Sequence, residues 1–171
     1  MEDHRRQFIF HFAPVKPSQR SLVHNWLKQT HTKEWIHGIG LQSTLTGIEN
    51  FLQGGSSATY WIGYDRAAPF AFLITSPSVE DAIALDVFIC DLKYLGKRLA
   101  VPLIHEFLIG QFPDVKRILI DPEAANTRAI HVYKKAGFKI VGEFIASWHP
   151  VLHYQMELNM SDLLTFNTEH H

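Results

Sequence analysis

The sequence predicts an α/β fold in which a mixed, mostly antiparallel sheet of about seven strands is flanked by about four helices. Three observations predict it. Strand-like apolar segments at Thr59–Tyr64, Phe70–Thr75 and Ala82–Cys90 follow one another with only tight turns between them. After Cys90 the rhythm changes to strand, helix, strand, helix, strand, which requires at least one parallel crossover. The length of 171 residues, 46% hydrophobic and 19% charged, suits a single domain spanning residues 1–171, with its core over roughly residues 7–160.

Phe8-Ile9-Phe10-His11-Phe12 reads as the first strand, ended by Pro14 and Pro17. Ser18 is then expected to cap a helix whose apolar stripe is Leu22, Trp26 and Leu27, running to Gln29. A second helix is expected from Thr44 or Thr46 through Phe51 and Leu52, stopped by Gly54-Gly55. The Asp65–Pro69 turn makes the next two strands a hairpin. Leu99, Leu103, Phe107 and Leu108 recur at helical spacing, which places a helix from residue 99 to Gly110. Pro102 fits a first turn and clashes deeper in, so this helix cannot begin much before Arg98. Lys116–Asp121 is the next strand, Asn126–Ala136 the next helix with Gly137 just past its end, and Lys139–Ile145 and Leu152–Leu158 close the sheet.

Composition excludes several functions. With 16 basic and 17 acidic residues the formal charge is −1, whereas coating a nucleic acid or an anionic membrane demands a basic excess. Apolar runs such as Ile118–Ile120 fall far short of a membrane span, and no basic-then-apolar leader opens the chain, so a cytoplasmic protein is expected. The single cysteine, Cys90, removes any disulfide framework and any four-thiolate zinc site. The eleven histidines do not form a metal motif: His105-Glu106 opens like a zincin helix, but residue 109 is Ile, and His149 and His153 straddle Pro150. His170-His171 read as tag residues, and no metal is expected.

Three segments carry chemistry. Leu95-Gly96-Lys97-Arg98-Leu99-Ala100 lies between a strand and a helix start, where unpaired N–H groups and added basic charge suit an anion. On this segment alone a plain loop with two solvated cations is the preferred reading, and neither a triphosphate loop nor a dinucleotide fingerprint is present. Asn126 and Tyr133 are seven residues apart, so an amide and a phenol share one helix face. On their own they read first as a helix cap and a core aromatic with a wet tip. Asp86 interrupts Ile83–Ile89, and a carboxylate in a strand must face water, a partner or a ligand.

Together the order and spacing of these segments resemble the GNAT N-acetyltransferases, and within them the aminoglycoside 6′-N-acetyltransferase branch. Asn126–Phe138 and Leu95–Ala100 are similar to the two acetyl-CoA segments of that family, and Asp86 stands where the branch carries its proposed catalytic aspartate. Asn25-Trp26-Leu27, His31, Glu34-Trp35 and Ile120-Asp121-Pro122 also look like that branch. One departure is Arg98-Leu99-Ala100, where the family usually has Gly-x-Gly. The resemblance implies a GNAT fold and direct attack of a primary amine on acetyl-CoA, with Asp86 as base and Tyr133 as donor to the leaving sulfur. It implies cofactor contacts from Val87, Phe88 and Ile89, from Leu95, Gly96, Lys97, Arg98, Leu99 and Ala100, and from Asn126, Ala129 and Tyr133. Trp35, Asp86 and Asp121 would meet a cationic small-molecule acceptor, in a monomer or homodimer without nucleic acid or membrane. Glu49, Asp81, Glu143 and Trp148 are candidates to extend that surface. The leading acceptor is an aminoglycoside 6′-amine. The alternatives are a siderophore hydroxylysine, a polyamine, a protein N-terminus, or a module that binds acetyl-CoA without turnover.

The near-zero charge is also unevenly distributed. Residues 45–90 hold one basic and five acidic residues, whereas residues 91–140 hold nine basic and five acidic ones. The first block contains Asp86 and the second both expected acetyl-CoA segments, a division between a cation site and an anion site.

Overall fold

In the computed structural model, which describes residues 7–36 and 38–169, seven strands form one sheet in the order β1-β2-β3-β4-β5-β7-β6. The strands are β1 (Phe10–Pro14), β2 (Thr59–Asp65), β3 (Ala68–Pro77), β4 (Ala82–Ile89), β5 (Arg117–Ile120), β6 (Lys139–Ile145) and β7 (Leu152–Asn159). All neighbouring pairs are antiparallel except β4 and β5. The helices are α1 (Arg20–Leu27), α2 (Thr30–Lys33), α3 (Gly38–Leu52), α4 (Ala100–Gln111), α5 (Thr127–Ala136) and α6 (Met160–Glu169). His170 and His171 lie outside the described residues.

The central strands are buried on both faces, which is why β3 reads as a continuous apolar run. Phe72 packs with Val23, Leu27, Ile48 and Ile62 under α1 and α3, while its neighbours Ala71 and Leu73 pack with Leu103, Phe107 and Ile118 against α4. Truncating a fully buried ring such as Phe72 costs about 3–5 kcal/mol. The same alternation sends Leu85 into the second core and leaves Asp86 facing the α3 side.

Among the described residues six helices flank the sheet where the sequence predicts about four, and the reasons are local. The single turn α2 is too short to show a period, and α6 follows β7 directly. Helix α3 begins at Gly38 rather than at Thr44 or Thr46. Thr44 does not cap; its hydroxyl donates back to the Gly40 carbonyl at 2.9 Å from inside the helix. Ser18 does not cap α1 either. A 3₁₀ turn at Pro17–Gln19 precedes that helix, and the Gln19 side chain accepts from the Lys16 N–H at 2.9 Å. Gly137 ends α5 at φ +109°, where a side chain would also collide with Leu158 at 2.9 Å. No helix among the described residues is long and apolar enough to cross a membrane.

Candidate active site

The site begins where two strands part. β4 and β5 pair only through Ala82–Ala84 and Arg117–Leu119, with Ala84 opposite Leu119 as the last pair. Asp86 and Asp121 each lie two residues beyond that pair, one on a strand that continues and the other just past a strand that has ended. Beyond Ala84, one edge of β4 is therefore left without a neighbouring strand. Cys90 N–H donates to Phe70 O on β3, so by alternation the amides of Val87 and Ile89 face the open side. His31 Nε2 approaches the Ile89 carbonyl there at 3.3 Å.

A cleft of about 480 Å³ opens over this gap. β4 supplies Asp86, Val87 and Phe88, and the end of β5 supplies Ile120, Asp121, Pro122 and Glu123. Trp35 and Ile36, with Gly40, Ser43 and Thr44 of α3, line the part nearest the first half of the sheet. Asn126 and Tyr133 of α5, with Trp148, His149 and His153, line the part nearest the second half. The geometry thus gathers Trp35, Asp86, Val87, Phe88, Asp121, Asn126 and Tyr133 in one place. Ile89, Ala129 and the Leu95–Ala100 loop lie outside this lining.

Electrostatics marks Asp86. Loss of solvation within the cleft, reinforced by the charge of Asp121, raises its carboxyl to about 6. Asp121 is raised as well by partial desolvation, partly offset by His153. Tyr133 is pushed up, first by burial and then by the Asp86 charge, so its phenol keeps its proton. Tyr60, aligned with Asp86 through Ile74, is raised by the same two causes.

Asn126 is the helix cap: its side-chain oxygen accepts from Ala129 N–H at 3.2 Å, which fixes the start of α5. The seven-residue spacing then carries Tyr133 to the same cleft. His105 Nε2 meets the Ala136 carbonyl at 2.7 Å and ties the end of α5 to α4.

The Leu95–Ala100 loop has the form of an anion cradle. Gly96 has φ +72° and Arg98 φ +58°, two left-handed residues flanking Lys97. Leu99 is buried and precedes α4 with no side-chain cap on the helix N–H groups. Tyr94 stacks on Phe70 at 4.4 Å and donates to Asp65 at 3.1 Å, anchoring the loop from the strand side. Gly96, Lys97 and Arg98 are exposed.

Several residues stand elsewhere than expected. Glu49 pairs with Arg20 at 2.7 Å and Asp81 with Lys116 at 3.5 Å; neither they nor Glu143 line the cleft. Glu123, missed from the sequence, does line it and bonds His149 at 2.7 Å. Its only sequence signal is its position directly after Asp121-Pro122. Trp148 is 49% exposed at the rim, and Cys90 is a buried thiol pushed up to about 12, so it is no nucleophile at neutral pH. Among the described residues no group of His, Cys, Asp and Glu is arranged to hold a metal ion.

The profile of the acetyltransferase (GNAT) domain matches residues 18–146. A solved aminoglycoside N(6′)-acetyltransferase from Legionella pneumophila is 52% identical, covering 92% of this chain and 96% of that one, with a TM-score of 0.88. Aminoglycoside N(6′)-acetyltransferase type 1 of Klebsiella pneumoniae is 27% identical over 143 residues, 71% of this chain and 70% of that protein. A structure of AAC(6′)-Ib with coenzyme A and kanamycin shares the fold at a TM-score of 0.75 and 20% identity, covering 92% of this chain and 98% of that one. The chain belongs to the GNAT acetyltransferase family and is an acetyl-CoA-dependent N-acetyltransferase, similar to the aminoglycoside 6′ branch.

Proposed function

We propose that this chain acetylates the 6′-amine of an aminoglycoside, with one domain carrying the whole reaction in the cytoplasm. The observation that carries the reading is the pair Asp86 and Asp121 in a cleft shared with Tyr133. Two carboxylates lining one cleft repel each other, and a polycationic acceptor relieves that repulsion on binding. Trp35 and Trp148 offer apolar ring surface for a sugar.

The donor side fits its cosubstrate. Backbone N–H groups of Gly96–Ala100 and the N-terminus of α4 suit a pyrophosphate, and Lys97 and Arg98 add charge. Arg98 carries a Cβ where glycine is easiest, yet holds the left-handed turn that presents its N–H. The open edge of β4 at Val87 and Ile89 can pair with an amide-bearing arm as an added strand would. Acetyl-CoA supplies the activated acyl group.

The chain's own residues then manage two protons. Asp86 accepts the proton that the acceptor ammonium must lose; a carboxyl near 6 is a stronger base than an ordinary aspartate. Tyr133 donates a hydrogen bond to the departing sulfur. A free thiol near ~8.5 and a phenol near ~10 already make full transfer from tyrosine uphill, and the upward shift of Tyr133 steepens it. Asp121 orients the acceptor through a second amine.

CoA release measured across kanamycin- and tobramycin-type aminoglycosides, spermidine and hydroxylysine tests the acceptor. Aminoglycosides should show the highest kcat/KM. Faster turnover of a polyamine or hydroxylysine overturns the assignment, and acetyl-CoA binding with no release on any amine overturns catalysis itself.

A further inference from the structure

Glu123 has no role in the chemistry above, yet its side chain is only 14% exposed and sits in the cleft lining. It follows Asp121 by two residues, in the segment that leads into α5. Its carboxylate accepts from His149 Nε2–H at 2.7 Å, across 26 residues of sequence. His149 adjoins Trp148 in the turn between β6 and β7.

The two segments are also joined along their bases. Ala124 N–H donates to Leu152 O at 2.8 Å, Tyr154 N–H to Pro122 O at 3.0 Å, and Glu123 bridges to His153. These bonds hold the strand end of the turn. The Glu123–His149 bond is placed differently, at the part of the turn that carries Trp148. The Trp148 ring packs beside Phe144 and His153 at centroid distances of 6.3 and 6.0 Å, with half its surface open to the cleft rim.

We propose that Glu123 and His149 form a positioning pair that fixes the β6–β7 turn, and with it Trp148, as one wall of the acceptor cleft, setting affinity for ring-bearing amines. The pair touches neither reacting atom. It rests on the acceptor reading given above for its kinetic consequence, but not for its structural one. A charge-assisted hydrogen bond in a half-buried setting is strong enough to order a short turn.

The test uses the whole chain in two arms. In the first, without substrate, acrylamide quenching of tryptophan fluorescence is compared between wild type and Glu123→Ala, each also in a Trp148→Phe background to isolate that ring among the four tryptophans. Trp148, half exposed in the wild type, should become more accessible in Glu123→Ala and keep the wild-type quenching in Glu123→Gln, whose amide oxygen still accepts from Nε2–H. In the second arm, Glu123→Ala should raise the acceptor KM about tenfold, equivalent to about 1.4 kcal/mol, with kcat and the acetyl-CoA KM within about twofold. Glu123→Gln should recover the KM, and Glu123→Ala/His149→Ala should be no worse than Glu123→Ala. Unchanged quenching, an equal loss of kcat, or a Gln variant as impaired as Ala each overturns the proposal. Should another amine replace aminoglycosides as the acceptor, the acceptor reading fails while the quenching change and the KM shift on that amine still support the pair.

Discussion

Asp86 and Asp121 stand at matching levels of two parallel strands, each two residues past the last paired residues Ala84 and Leu119. Parallel neighbours at matching levels point to the same face, so strand separation puts two carboxylates side by side over an open gap. The charge of Asp121 is accordingly one of the causes that lift Asp86. Two carboxylates lining one gap make it a negatively charged site.

On the base role proposed for Asp86, loss of solvation first and the Asp121 charge second set the acid limb of activity. Asp86 acts as base only when ionised, so kcat/KM should fall as pH drops through about 6. In Asp121→Asn the neighbouring charge is gone and the Asp86 carboxyl moves down. The falling limb of the kcat/KM profile should therefore shift to lower pH, with a raised acceptor KM. A limb that stays in place in Asp121→Asn shows that desolvation alone sets it.

The same carboxylate should weaken the fold at neutral pH. Asp86 holds its proton more tightly in the folded chain, at about 6, than at its ordinary value of 3.8. Below 3.8 it is protonated in both states and carries no penalty; the penalty grows between the two values and is complete above 6. Asp86→Asn should therefore raise the melting temperature at neutral pH, and the gain should shrink as pH falls towards 4. Activity should drop by about 10²–10⁴-fold, as removal of a general base does. A melting temperature lowered equally at every pH would assign Asp86 a structural role.

Tyr133 is held protonated by burial and by Asp86, so it has no titration to contribute near neutral pH. Tyr133→Phe should lower kcat about 10²-fold, the usual loss for a donor aimed at developing charge. The acid limb near 6 should persist, because Asp86 remains. Loss of that limb in Tyr133→Phe would mean that the two residues exchange a proton directly.

Much of this was legible because the sequence broke its own patterns. Asp86 interrupts an alternating apolar strand, and Asn126 and Tyr133 sit two turns apart on a helix that Gly137 ends. These are local periodic signals, and the structure places all three side chains in one cleft. Glu123 and His149 left no such trace, since a bond between two turns 26 residues apart has no period. Glu49 and Asp81 show the reverse error. As acidic residues in the right block they suited a cationic site, but each already has a basic neighbour on the surface. The start of α3 was hidden by Gly38 and Gly40, which have low helix propensity, and by Thr44, which bonds backwards within the helix.

Arg98 offers the sharpest separation of backbone from side chain. It holds φ +58°, a conformation in which a Cβ costs about 1–2 kcal/mol, directly before buried Leu99 and the start of α4. Arg98→Gly removes that strain and adds freedom to the unfolded chain, whereas Arg98→Ala keeps the strain and removes only the guanidinium. Arg98→Gly should therefore be more stable than Arg98→Ala by about 1 kcal/mol in denaturant unfolding. Acetyl-CoA titration then separates the remaining effect. If the guanidinium assists the phosphates, both variants bind more weakly than wild type, and Arg98→Gly recovers part of the loss through closer backbone approach. Equal stability of the two variants would show that the loop is not held left-handed in solution, and the cradle would then have to form on binding.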